Sequence, residues 1–163
     1  MSTTIGADEI ATAWQRELPG VPTSSIGVIT PLWRAAKLLS DDRRRTLRRL
    51  GIEDSTLDLL STLRRSGPPY TLTTRELGER TLVTAGAISQ RVGRAEAAGL
   101  VSRAPSDRGR RAVAVTLTPL GHRTIEAAVT ALLTHEEELV ARLDPDAVRG
   151  FSAVVAALAE AVT

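Results

Sequence analysis

Between Arg91 and Arg111 six arginines, Arg91, Arg94, Arg103, Arg108, Arg110 and Arg111, stand against only two carboxylates, Glu96 and Asp107. A guanidinium is planar, permanently charged and able to donate two parallel hydrogen bonds, which suits phosphate oxygens and the O6/N7 edge of guanine. The concentration is local. Over all 163 residues 21 basic side chains nearly balance 19 acidic ones, for a net charge of +2, and Lys37 is the single lysine. Just upstream stand Thr84, Ser89 and Gln90. A threonine hydroxyl at a helix start, with the free backbone N–H groups there, makes a phosphate clamp. Serine and glutamine can reach base edges, glutamine being matched to adenine N6 and N7. Charge alone fits a solvated arginine-rich face equally well. The elements that carry these residues therefore decide between the two.

Two short helices meet where this chemistry sits. Thr73 or Thr74 caps the first, with Glu76 in its first turn and Leu77 on its apolar side, running to about Arg80. Thr84 starts the second, through Ile88, Val92, Ala95 and Ala98 to Gly99, a glycine well placed to close it. A turn of three or four residues between them gives a helix-turn-helix candidate. Leu100–Arg103 and the β-branched run Ala112–Thr118, separated by the turn-rich Ser106–Gly109, read as a hairpin. Helix, turn, helix, hairpin is the order of a winged helix. In it Ser89, Gln90 and Arg91 occupy the first two turns of the reading helix, Arg94 falls towards the DNA backbone, and Arg110 and Arg111 tip the wing, where arginines suit a narrow minor groove.

Further helices flank this reader. Ala7–Leu18 carries Ile10, Ala13, Trp14 and Leu18 at three- and four-residue steps before Pro19. A long helix starts near Ser24 or Ser25 and ends at Gly51, with Arg43, Arg44, Arg45, Arg48 and Arg49 on a flank open to DNA, an acidic partner or water. Asp54 and Ser55 cap another, bearing Leu57, Leu59, Leu60 and Leu63, which stops at Ser66-Gly67-Pro68-Pro69. Thr118 and Pro119 open a long helix to about Leu143, and Asp144-Pro145 restarts the chain into a last helix, Asp146–Ala161. Its stripe of Val148, Phe151, Val154, Val155 and Leu158 is more apolar surface than one small core can cover, which favours a homodimer over the ends packing together within one subunit. The expected fold is mainly α with a β-hairpin wing, a single domain over 1–163. Residues 7–50 and 119–162 supply dimerisation helices and 53–117 the DNA-binding lobe.

Composition narrows the function. The chain has no cysteine, which removes thiol, disulfide and Cys-rich zinc chemistry. His122 and His135 project from well-separated faces of one helix, so no metal site is expected. No apolar run is long enough to span a membrane and the N-terminus lacks a signal-peptide pattern, which points to the cytoplasm. No phosphate loop, nucleophile elbow or His–carboxylate constellation suggests catalysis, and no cofactor is expected. Aromatic content of 2% disfavours single-stranded RNA binding by stacking. The alternative to specific DNA binding is a winged helix used only as a protein-interaction scaffold.

The stretches Leu63–Tyr70, Thr84–Val92, Glu96–Val101 and Val115–Gly121, in that order, resemble the MarR family of transcriptional regulators over about residues 24–160. The resemblance implies a dimer with interlocked terminal helices at its base. Its two winged lobes would each enter a major groove of a pseudo-palindromic operator. A finer resemblance is to the urate-responsive, PecS-like branch, in which a tryptophan on an added N-terminal helix, an aspartate and an arginine hold an anionic ligand such as urate or another organic acid. The matching positions are Trp14, Asp58 and Arg103. For Trp14, packing in a core or dimer interface is the alternative reading, and for Asp58 helix capping, solvent or an ion pair with an arginine. The sequence departs from the branch in three places. Ser66 or a neighbour replaces an asparagine, Ser89-Gln90-Arg91 stands where the recognition helix often has Thr-Asn-Arg, and Gly109 stands where an acidic residue normally orients the wing arginine, which leaves Arg110 either to be positioned by Asp107 or to be more mobile than usual.

Overall fold

The computed structural model describes residues 5–106 and 112–162. Among them the order is α1 (Ala7–Glu17), α2 (Ile26–Arg49), α3 (Asp54–Arg65), β1 (Thr71–Thr73), α4 (Thr74–Thr81), α5 (Ala85–Ala97), β2 (Val101–Pro105), β3 (Val113–Leu117), α6 (Pro119–Val140) and α7 (Pro145–Ala161). The chain divides into two compact units, one ending at Arg45 and one beginning at Thr46, and the division falls inside α2.

In the first unit no described residue is buried. The Glu9 carboxylate accepts from the Gly6 N–H at 3.0 Å to cap α1, and Gln15 Nε2 donates to the Val21 carbonyl at 2.7 Å, fastening the turn that Pro19 and Gly20 begin. Trp14 is half exposed and Trp33 still more so.

The second unit holds the core. Leu57, Leu59, Leu60 and Leu63 of α3 pack with Leu77 of α4, with Ile88, Val92 and Ala95 of α5, and with Ile125, Ala128 and Leu132 of α6. Complete burial of each leucine, isoleucine or valine among them contributes about 2 kcal/mol, and of each alanine less. Under these helices lies an antiparallel sheet in the order β1-β3-β2, with Leu72 opposite Val115 and Val101 opposite Leu117. The hairpin was expected; β1 was not. Three residues between a Pro-Pro turn and a helix cap carry no readable alternation, and the strand exists because β3 offers it an edge, sealed by Thr71 and Thr116 hydroxyls 2.7 Å apart.

Two helix ends depart from expectation for identifiable reasons. At α3 the N-cap is Glu53, one residue before Asp54, and its side chain makes no capping bond. At α6 the helix stops at Val140 rather than Leu143, because Asp144 precedes a proline and must be extended. Asp144 Oδ1 then accepts from the Ala147 N–H at 2.9 Å to start α7. No residue of α7 is buried, and Phe151, Val154 and Val155 stand exposed.

Candidate nucleic-acid interface

Two threonine caps set the positions of α4 and α5. Thr73 Oγ1 accepts from the Glu76 N–H at 3.2 Å while the Glu76 carboxylate accepts from the Thr73 N–H at 2.7 Å, a reciprocal capping box. Thr84 Oγ1 accepts from the Ala87 N–H at 3.3 Å. Between the helices Leu82 turns the chain in a left-handed conformation, φ 54° and ψ 36°, and sends its own N–H to the Gly78 carbonyl. For a leucine this backbone costs about 1 kcal/mol.

The stripe Ile88, Val92 and Ala95 anchors α5 in the core, which turns Thr84, Ala85, Gly86, Ser89, Gln90 and Arg94 outward. Ala85 and Gly86 carry almost no side chain over the first-turn N–H groups, so an anion can approach the positive end of the helix dipole. Of the residues expected to touch DNA, Thr84, Ser89, Gln90 and Arg94 share this exposed face. Arg110 and Arg111, together with Asp107, lie outside the described residues.

Arg91 is placed differently. Its side chain is only 21% exposed, and Nη1 donates to Asp58 Oδ2 on α3 at 3.0 Å. The lone carboxylate among the leucines of α3 is thus in an ion pair with an arginine, one of the alternatives its sequence setting left open. The other flank of α5 is tied as well. Arg103 of β2 donates through Nε to Glu96 Oε2 at 2.8 Å and through a second, shorter contact from Nη2. The Arg103 hydrogen bond, with its charge, holds the Glu96 carboxyl below the usual glutamate range. The contribution of this pair to stability is therefore present above that range and fades only as pH falls through the lowered value. Asp58 and Arg103, both candidate ligand residues, accordingly have separate partners, and both partners lie on α5. Trp14 belongs to the other compact unit.

The sequence left an arginine partner open for Asp58 without naming Arg91 and carried no signal for Glu96 with Arg103; the pairings join residues 33 and 7 positions apart across different elements. It also passed over a hollow of about 690 Å³ beside the start of α5, lined by Arg75, Leu82, Thr84, Ser89, Arg103 and Val113. Arg75 there is paired with Glu79 at 2.9 Å.

The Asp58–Arg91 pair gives a first expected result. The pair is part-buried, but Asp58 keeps 44% of its side chain in water, so breaking it should cost no more than about 1–2 kcal/mol and Arg91→Ala and Asp58→Asn should both still fold. If Arg91 acts by tethering α5, the two variants lose specific DNA affinity to similar extents and the double variant is no worse than either. A double-mutant cycle on DNA affinity checks this. An Arg91→Ala loss larger than that of Asp58→Asn by about 1–3 kcal/mol would instead make Arg91 a direct base reader.

A short helix, a tight turn, a second helix with an exposed polar and cationic face, and a hairpin behind it define a winged helix-turn-helix. Residues 50–112 match the model of the MarR family. The chain is 25% identical over 140 residues to the HTH-type transcriptional regulator PecS of Dickeya dadantii, covering 86% of this chain and 84% of that relative. Among solved structures it is similar to Sco3205, a MarR family transcriptional regulator from Streptomyces coelicolor in complex with DNA, at 25% identity and a TM-score of 0.67 over 82% of this chain and 90% of that one. NadR in complex with 4-hydroxyphenylacetate shares the fold at 22% identity and a TM-score of 0.61, over 80% of this chain and 90% of that one. Over residues 50–112 the chain thus matches the MarR family, and along most of its length it is similar to transcriptional regulators, one of them solved in complex with DNA. Among the described residues no helix is long and apolar enough to cross a membrane.

Proposed function

We propose that this protein is a DNA-binding transcriptional regulator of the MarR family, a cytoplasmic homodimeric repressor that holds a pseudo-palindromic operator and lets it go when a small anion binds. In this reading residues 7–50 and 119–162 build the dimer base and residues 53–117 the reader. Helix α5 lies in the major groove, with Thr84 on a phosphate, Ser89 and Gln90 at base edges, and Arg94 on the backbone. Arg110 and Arg111 reach the minor groove. Arg91 holds the helix at its working angle through Asp58.

The observation that carries ligand release is the double tether of α5. Asp58 ties it to α3 through Arg91, and Arg103 ties it to the wing through Glu96. An anion competing with Asp58 for Arg91, or drawing Arg103 from Glu96, loosens one tether and shifts the dimer towards orientations that no longer match two grooves at once. Support for a small organic acid comes from NadR, which was solved with 4-hydroxyphenylacetate, and from the resemblance of the sequence at Trp14, Asp58 and Arg103 to the PecS-like pattern. The ligand can weaken DNA binding only by the factor by which it prefers the DNA-incompetent dimer, so binding and release need separate measurement.

Titrating urate, 4-hydroxyphenylacetate and related acids into a preformed DNA complex tests the proposal, with ligand binding followed in parallel. At least one acid should release DNA from the wild type by about 10-fold or more, within the usual range of coupling between sites. Asp58→Asn and Arg103→Ala should blunt the response. A wild-type complex indifferent to every acid, or variants that respond as the wild type does, would remove the anionic switch.

A further inference from the structure

We propose that Leu82 is a DNA-contacting residue, an apolar contact held beside the start of α5 for the hydrocarbon surface of the duplex. The proposal rests on the groove-reading role of α5. It begins from a leucine that the fold does not need. The side chain is 92% exposed, so it adds nothing to the core. Its backbone is left-handed, a conformation that glycine adopts freely and asparagine more readily than leucine. Among the described residues only Tyr70 shares this condition, and there the ring returns something to the fold. It packs edge-on to His122 at 4.6 Å and beneath the Arg64 guanidinium at 4.8 Å. Leu82 has no such internal compensation. The turn itself is required, because Val83 packs against the core immediately afterwards, but a glycine at 82 would make the same turn.

Location supplies the occupant. Leu82 lies two residues before Thr84 and lines the same hollow as Thr84, Ser89, Arg75 and Arg103. In a helix-turn-helix the N-terminal part of the reading helix meets the base edges. The apolar features that DNA presents along that approach are thymine methyl groups and deoxyribose faces. A strained, solvent-exposed leucine at this rim is suited to cover them, and its fixed backbone lowers the cost of ordering it on binding.

The test uses the full chain and a duplex enriched by the wild type from a randomised pool. Leu82→Gly should keep or raise Tm, since it relaxes the left-handed turn, while lowering affinity for the enriched duplex roughly 5- to 20-fold, the loss of one partly buried leucine. Leu82→Met, which retains an apolar chain, should bind within about 2-fold of the wild type. Replacing thymine by deoxyuridine in the duplex separates the two apolar surfaces. A methyl contact makes wild-type binding sensitive to the exchange and Leu82→Gly insensitive, whereas a deoxyribose contact leaves the wild type indifferent. Wild-type affinity in Leu82→Gly, or a fall in its Tm that accounts for the lost binding, overturns the proposal. Failure of the wild type to enrich any duplex overturns the DNA reading itself and takes this inference with it.

Discussion

Gly121→Ala should lower the unfolding free energy by about 2–3 kcal/mol, although helix propensity alone favours alanine over glycine by about 1 kcal/mol. A Cβ built on Gly121 lies 2.0 Å from the Leu100 carbonyl oxygen and 3.1 Å from Leu117 Cδ2. No rotamer can relieve a clash between Cβ and backbone, so α6 must shift. The joint it would shift from is tightly made. Thr118 Oγ1 donates to the Gly99 carbonyl at 2.7 Å and accepts from the Gly121 N–H at 3.0 Å, while the Thr118 N–H donates to the Leu100 carbonyl at 3.1 Å. This corner fixes the end of α5 against the start of α6. Thermal unfolding should show Tm lower by about 10 °C. Gly150→Ala on α7, where a Cβ meets nothing within 4 Å, serves as the opposite case and should leave Tm unchanged or raise it. Equal behaviour of the two variants would mean that the close approach at Leu100 is not real.

The second large effect concerns assembly. If α7 builds the proposed homodimer, Phe151→Asp combined with Val155→Asp should turn it from a sedimenting dimer into a monomer and weaken binding to a two-half-site duplex by about 100-fold or more. Both side chains are exposed on a helix with no buried residue, so the core of Leu59, Leu60, Leu63, Val92 and Ile125 loses nothing in the variant. In the proposed dimer a partner covers this exposed apolar stripe, and under two-fold symmetry the same stripe serves both copies. The DNA penalty follows from linkage of the half-sites. Once one lobe is bound, the other is held near its half-site at high effective concentration, and that advantage of about 10²–10⁴ disappears with the dimer. A double variant that stays dimeric, or a monomer that binds as tightly as the wild type, would separate α7 from assembly.

Much of this architecture was legible because the sequence marks its breaks with strong local chemistry. Thr84 and Thr118 cap the helices they precede, Gly51 and Gly99 take the positive φ that closes theirs, and Pro119 and Pro145 occupy first turns. What escaped was whatever depends on a distant partner. Strand β1 is defined by β3, and its three residues carry no pattern of their own. The exposed face of α5 followed from helical periodicity, which placed Ser89 and Gln90 outward. Periodicity could not show that Arg91, the next residue, reaches back to Asp58. Nor could it show that Glu96 meets Arg103 round the Gly99 corner. The left-handed leucine was equally hidden, since a turn was readable between the two helices but not which residue would bear its strain.

The central claim is that the outward face of α5 reads duplex DNA, and one titration addresses it directly. Wild type and Gln90→Ala are each titrated against the enriched duplex and a random duplex over a range of salt concentrations. The account predicts that log affinity of the wild type falls steeply and linearly with log salt on both duplexes, by about 0.9 per phosphate neutralised. It also predicts that Gln90→Ala weakens the enriched duplex by about 1–3 kcal/mol while leaving the random one nearly untouched. Wild-type binding without a salt slope, or an equal loss on the two duplexes, would contradict it.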